Sequence, residues 1–374
     1  MSRNDRIDLT PFQEPFRWGG LSLRNRFALA PMTRLKSPGG VPTADNADYY
    51  RRRAAAGVGL IITEGVHVRD PAAGFSLDVP HAYGADAAAG WRAVIAQVHA
   101  EGSAIIPQLW HMGAMRGGEY DRGPDTETVS PSGIGLDGRP VGRALTGADI
   151  ERIIGDFVES ATFAKECGFD GAEIHGAHGY IIDEFLWQRT NRRGDVYGYG
   201  NRHGTKFAVD LIRAIRGAVG PDFPIVFRFS QWKSDHYRAR LASSPQELEE
   251  ILTPLVDAGV DLFHPSSRRH WMPEFESHGD LGLAGWTKKI TGCPTIAVGS
   301  VGVGALMGSD NTIVAETVQE RLTYLLQQFE HDEFDIVAIG RALLADAQWV
   351  QKATAGAWDE IKPYVRPPRG ERLY

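Results

Sequence analysis

The chain has 374 residues, 43% of them hydrophobic, with 43 glycines and 21 prolines, so it can bury a large core and suits a folded globular protein. A formal charge of −7 argues against a nucleic-acid partner, because phosphate binding needs a basic surface. The two cysteines, Cys167 and Cys293, exclude a disulfide framework, a cysteine-based structural zinc site and a cysteine-ligated iron–sulfur cluster, and make a reducing cytoplasm the expected compartment. The N-terminus lacks the apolar stretch of a signal peptide and no run of about 18 apolar residues occurs, so no membrane partner is expected.

Past an N-terminal extension, short apolar runs alternate with amphipathic stretches, the pattern of parallel βα units. The first strand is expected at 27–32 with a helix near 44–56, the second at 59–65 with a helix at 87–101, and the third at 104–110 with a helix at 147–167. Strand four falls at 171–176 before a helix at 202–218, strand five at 224–230 before 244–258, and strand six at 261–266 before 284–291. Strands seven and eight, at 294–300 and 336–341, precede helices at 316–331 and 342–355. Thr146 and Ser244 are natural N-caps for the helices that follow them. This alternation predicts an α/β fold: a single (β/α)8 TIM barrel over residues 1–374, with excursions in the loops after strands 3, 6 and 7. A doubly wound sheet is the alternative, but no strand runs into a GxGxxG turn, and GSVGVG at 299–304 has that spacing reversed.

In a barrel, chemistry gathers at the C-terminal strand ends. Residues 171–180, GAEIHGAHGY, place His175, His178 and Tyr180 where strand four turns into a loop. Two imidazoles and a phenol in one arc suit polarisation of a carbonyl and delivery of a proton. Gly299, Ser300, Gly340 and Arg341 end strands seven and eight and suit a phosphate. Thr33, Gln108 and Arg228 offer donors and acceptors for the edge of a flat heteroaromatic ring. Arg228 lies between Phe227 and Phe229 on a core strand, so it faces away from both and needs an anion or acceptors. His111 and His264 also sit at strand ends and read more simply as structural.

NRFALAPMTR at 25–34, ADYYRRRAAAGVGLIITEG at 47–65, PQLWHMG at 107–113, GFDGAEIHGAHGYIIDEFL at 168–186, FRFS at 227–230 and DIVAIGRALLAD at 335–346 together resemble the old yellow enzyme family over nearly the whole chain. The resemblance implies a cytoplasmic flavoprotein oxidoreductase. FMN would bind at the strand C-termini, be reduced by NADH or NADPH, and pass hydride to an activated alkene in a ping-pong cycle. It implies that His175 and His178 hold the substrate carbonyl and that Tyr180 donates the proton. Thr33 would contact the ring's O4 edge, Gln108 and Arg228 its pyrimidine half, and Pro31, Met32 and Gly65 its backbone contacts. His175 would also touch the cofactor, while Gly340 and Arg341, with Gly299 and Ser300, would hold its phosphate. No metal is implied, and the helices do not decide between a monomer and a homo-oligomer.

The chain departs from the family pattern at VYGYGNRHGTKF after 195, in the loop SSRRHWMPEFESHGDLGLAGW, and in VGVGALMGSDNTIVAET after Gly299. Trp110, Arg268, Arg269 and Trp271 are the expected substrate or nicotinamide contacts. Two other classes stand as alternatives. One is a metal-dependent barrel hydrolase or lyase using His111, His175, His178 and His264, although few carboxylates converge there. The other is a flavin-binding protein without turnover.

Overall fold

The computed structural model describes residues 7–116, 125–234, 236–303 and 318–365. Among them, eight parallel strands form one sheet: β1 Phe27–Leu29, β2 Leu60–His67, β3 Ala104–Trp110, β4 Ala172–His175, β5 Ile225–Phe229, β6 Leu262–Pro265, β7 Ile296–Val298 and β8 Ile336–Ile339. Neighbours pair in chain order, β1 returns to β8, and bridges from Phe263 to Thr295 and from Ser266 to Val298 join β6 to β7 and close the barrel.

Period-two alternation decides which side chains fill it. Ala28, Leu60, Ile62, Ala104, Ile106, Val226, Leu262, Ile296, Ile336 and Ala338 meet inside as one apolar cluster. Their neighbours Phe27, Leu29, Ile61, Ile105, Phe227, Phe263, Val337 and Ile339 point outward into the larger core beneath the helices. The N-terminal extension is a hairpin of Phe16–Trp18 and Leu21–Leu23, and its Phe16, Leu21 and Leu23 join the inner cluster. The hairpin therefore plugs the barrel at the end away from the strand C-termini.

The outer helices are α1 Ala44–Ala55, α2 Ala85–Ala100, α3 Gly147–Cys167, α4 Lys206–Val219, α5 Pro245–Ala258, α6 Leu283–Thr291, α7 Val318–Glu330 and α8 Arg341–Ala345. Thr146 and Ser244 cap α3 and α5 as expected, their side chains accepting from Asp149 N–H and Glu247 N–H, each bond contributing about 1 kcal/mol. Two helices differ from expectation. The stretch at 202–218 opens with a 3-10 turn, Arg202–Gly204, before α4 begins. The stretch at 342–355 breaks into α8 and Trp349–Thr354 because Asp346 is extended and its carboxylate accepts from Gln348 N–H and Lys352 Nζ instead.

Long connections follow β3 (111–146, with a small ribbon Val129–Ser130 against Arg143–Ala144) and β6 (266–282), as expected. Residues 117–124 of the connection after β3, and residues 304–317, which hold most of the expected excursion after strand 7, lie outside the described residues. Loops after β2 (68–84), β4 (176–205) and β5 (230–244) are also long, and the sequence reading did not single them out. Among the described residues no helix is long and apolar enough to cross a membrane.

Candidate active site

At the top of β4 the chain turns sharply. His178 and Gly179 both have positive φ, at 66° and 84°, the left-handed conformation that a non-glycine residue holds only when its surroundings enforce it. They do so here: His178 N–H donates to Ser230 Oγ at 3.0 Å and Gly179 N–H to Asp183 Oδ2 at 2.6 Å. Asp183 is itself held by Lys233 Nζ at 2.7 Å, and both side chains are completely buried. The turn brings His175, His178 and Tyr180 together, with ring centroids 5.2 Å apart for the two histidines and 4.8 Å for His175 and Tyr180.

Burial, reinforced by the Arg228 charge, drives both imidazoles well below their ordinary pKa, so they are neutral at pH 7. Ala177 N–H donates to His175 Nδ1 at 3.4 Å, which leaves Nε2–H as that ring's outward donor. His178 Nε2 meets Ser266 Oγ at 2.8 Å, and the same hydroxyl accepts from Arg228 Nη2 at 3.3 Å. With Arg228 only able to donate, the Ser266 proton is available to His178 Nε2, leaving Nδ1–H as the donor His178 can offer. Trp232 stacks on His178 at 4.3 Å and donates from Nε1 to Ser266 O. Burial pushes the Tyr180 phenol up to about 12, against the pull of Arg228, so it stays protonated.

A cavity of about 400 Å3 opens beside this arc. Its wall contains Pro31, Met32, Arg228, Gly299, Ser300, Gly340 and Arg341, all expected cofactor residues, together with Arg268 and Arg269. Ala30, Ala338 and Gly340 give it small side chains at the strand ends. Gly299 is required: its φ is 142°, and a Cβ there would lie 2.5 Å from Ser267 Oγ. The Ser300 hydroxyl donates to Arg268 O at 2.9 Å and accepts from Arg341 Nη2 at 3.0 Å. Arg228 Nε, though buried, has no partner among the described residues. A flat ring with carbonyl edges and an anionic tail fits this set: small residues at the strand ends, an orphaned guanidinium donor, and three arginines.

Thr33, Gly65, Gln108, His175 and Trp110 do not line that cavity. A Cβ on Gly65 would lie 2.5 Å from the Trp110 ring, which stands edge-on to Tyr180 at 5.0 Å and 5.4 Å from His67. Trp110 thus closes the far side of the arc. Trp271, expected at the substrate, is not among the residues lining that cavity; it packs under the Arg321 guanidinium of α7 at 4.6 Å and against His270. Gln328 of α7 bonds both His270 Nδ1 and His270 O, and so pins this part of the loop to α7. Arg268 lies over the Tyr237 ring at 4.1 Å.

Several site residues escaped the sequence reading. Glu173 sits beneath the arc, accepting from Gln108 and bonded to His264; its signal was a carboxylate two residues before His175 on a core strand, hence on the same inward face. Trp232, Lys233 and Asp183 belong to the connections after β4 and β5, whose approach no local pattern encodes. His111 is tied down structurally, with Nε2 3.5 Å from Asp70 and Nδ1 accepting from Gly113 N–H. Among the described residues, no three His, Cys, Asp or Glu side chains are grouped to hold a metal ion, so the metal-barrel alternative finds no ligand set there.

The sequence matches the NADH:flavin oxidoreductase / NADH oxidase family over residues 11–360. It is 35% identical over 362 residues to the NADH oxidase of Thermoanaerobacter brockii, covering 93% of this chain and 51% of that protein. To 12-oxophytodienoate reductase 2 of Arabidopsis thaliana it is 35% identical over 228 residues, 57% of this chain and 59% of the other. The probable inactive reductase easA of Epichloe festucae var. lolii is 32% identical over 274 residues, 71% of each chain. The chain thus spans about half the length of the first curated relatives it matches. Morphinone reductase, solved in complex with tetrahydroNAD, superposes with a TM-score of 0.75 at 25% identity, covering 92% of this chain and 91% of that one. This chain therefore belongs to the NADH:flavin oxidoreductase / NADH oxidase family, the old yellow enzymes.

Proposed function

We propose that residues 1–374 act as one FMN-binding domain, a cytoplasmic ene-reductase that uses NADH or NADPH to reduce the activated C=C bond of α,β-unsaturated carbonyl or nitro compounds. The observation that carries this reading is the convergence of His175, His178 and Tyr180 in one buried arc beside a cavity walled by Arg228, Gly299, Ser300, Gly340 and Arg341. FMN, when bound, would supply the chemistry for hydride transfer between a nicotinamide and an activated alkene. Pro31, Met32, Arg228 and Gly340 would hold its ring, with Thr33, Gly65 and Gln108 at its far edge. Gly299, Ser300 and Arg341 would hold its phosphate.

The protein's own groups account for the rest. Hydride addition at the β carbon builds negative charge on the substrate oxygen, and neutral imidazole N–H donors at His175 and His178 stabilise that charge without needing to be protonated. Tyr180 keeps its proton at neutral pH and delivers it to the α carbon. Trp110, packed against Tyr180, narrows the entry on the substrate side. One arc serving both nicotinamide and alkene implies a ping-pong order.

An anaerobic visible spectrum of the purified protein tests this. A flavin band should be present, bleach with stoichiometric NADPH or NADH, and return on adding 2-cyclohexenone. A colourless protein that takes up no FMN refutes the flavin reading, and a yellow protein that never reoxidises with enone or nitroalkene refutes the ene-reductase reading.

A further inference from the structure

Beneath the arc lies a charged group to which the roles above give no part. Glu173 is fully buried on β4, on the inward face that also carries His175. Its Oε1 accepts from Gln108 Nε2 at 2.7 Å, its Oε2 lies 2.5 Å from His264 Nδ1, and Arg228 Nη1 stands 4.0 Å away. Three strands, β3, β5 and β6, thus each send one polar side chain to the same carboxylate.

Chemistry restricts how they can be arranged. An ionised carboxylate only accepts, so Gln108 must turn its NH2 toward Glu173 and hold its carbonyl oxygen away from it. Flipping the amide would set two acceptors against each other in a site without water to separate them. Burial pushes the Glu173 carboxyl up, but His264, Arg228 and Gln108 outweigh this and leave it below its ordinary range. At the outer side of the network, Arg228 Nε and His264 Nε2 are buried with no partner among the described residues.

We propose that Glu173 is a positioning residue for the cofactor: it fixes which end of the Gln108 amide faces the ring and partly offsets the charge of Arg228, thereby setting FMN affinity and reduction potential. The inference rests on the FMN reading above. An acceptor oxygen on Gln108 matches the imide N–H at the pyrimidine edge of the ring. A negative charge close to Arg228 weakens the preference of that guanidinium for the more anionic, reduced form of the cofactor.

Glu173→Gln in the holoenzyme tests both parts. The uncharged amide should raise the ratio of affinities for reduced over oxidised FMN about tenfold, a positive shift of about 30 mV for a two-electron couple. Oxidised FMN should bind about tenfold more weakly, because Gln108 is then free to flip. Glu173→Asp keeps the charge and should weaken binding while leaving the ratio at its wild-type value. A purely structural residue would weaken both redox forms equally, so an unchanged ratio in Glu173→Gln overturns the proposal.

If Glu173→Gln does not fold, wild-type holoenzyme carries the test through the 15N–1H signals of the Gln108 side-chain amide, assigned by their loss in Gln108→Leu. One strongly downfield, slowly exchanging proton is expected, and an ordinary solvent-averaged pair overturns the fixed orientation. Wild-type protein that binds no FMN would instead overturn the flavin reading itself, and this proposal with it.

Discussion

The buried Lys233–Asp183 pair holds the turn that carries His178 and Tyr180, and Lys233→Met isolates its contribution. The two side chains are 0% exposed and 2.7 Å apart, and Asp183 Oδ2 also accepts the Gly179 N–H. Removing one partner of such a pair leaves an uncompensated buried charge, at about 3–5 kcal/mol. Asp183 can escape that penalty only by taking a proton, and burial already pushes its pKa above 3.8 despite Lys233. In the variant the folded-state pKa rises further above the unfolded one. Relative to wild type the added loss is therefore absent below the wild-type folded pKa and grows by about 1.4 kcal/mol per pH unit above it until the pH passes the variant's folded value. Urea unfolding of the FMN-saturated protein, followed by tryptophan fluorescence at pH 5 and pH 8, reads this directly. We expect a loss of about 3–5 kcal/mol at pH 8 and a clearly smaller one at pH 5. Adding Asp183→Asn should recover much of it, since an amide oxygen still accepts from Gly179. A loss below about 1 kcal/mol at pH 8, an equal loss at both pH values, or no recovery in the double variant would refute the argument.

Tyr180→Phe should slow reoxidation by enone by about 10²–10⁴-fold while leaving reduction by nicotinamide near wild type, read by stopped-flow of the two half-reactions. Because both active-site imidazoles titrate well below neutrality, enone reoxidation should show no histidine limb between pH 6 and 8, and a limb near 6.5 would contradict their burial. Glu64 is buried within β2, its carboxylate accepting from Arg34 N–H and the Tyr50 hydroxyl, and burial raises its pKa to about 7. Its folded pKa exceeds the unfolded value, so its contribution to stability is present below about pH 4.5 and lost as pH rises toward 7. Glu64→Gln should therefore gain on wild type across that window in denaturation experiments, and parallel stability curves would count against it. Gly299→Ala should weaken FMN binding and lower stability together, because the added methyl meets Ser267, and equilibrium dialysis beside thermal unfolding checks both.

Period and spacing are local properties, and they determined most of the fold. Alternation of two sorted Leu60 and Ile62 inward from Ile61 outward, and the βα rhythm predicted the barrel before any contact was known. The rule that barrel chemistry gathers at strand ends then pointed to His175, Arg228, Gly340 and Arg341, and the decapeptide 171–180 placed three active-site rings within a few residues of each other. Partners that arrive from distant loops were not legible. Nothing near Trp271 announces that Gln328, 58 residues from His270, pins that part of the loop to α7, and nothing near His178 announces Ser266, 88 residues on, which occupies its Nε2. Nor does Asp183 reveal Lys233, 50 residues away. The reason is physical: strand and helix periods are set by neighbours along the chain, whereas the proton each imidazole carries, the orientation of Gln108 and the charge left on Glu173 depend on low-dielectric contacts that exist only once the barrel has closed.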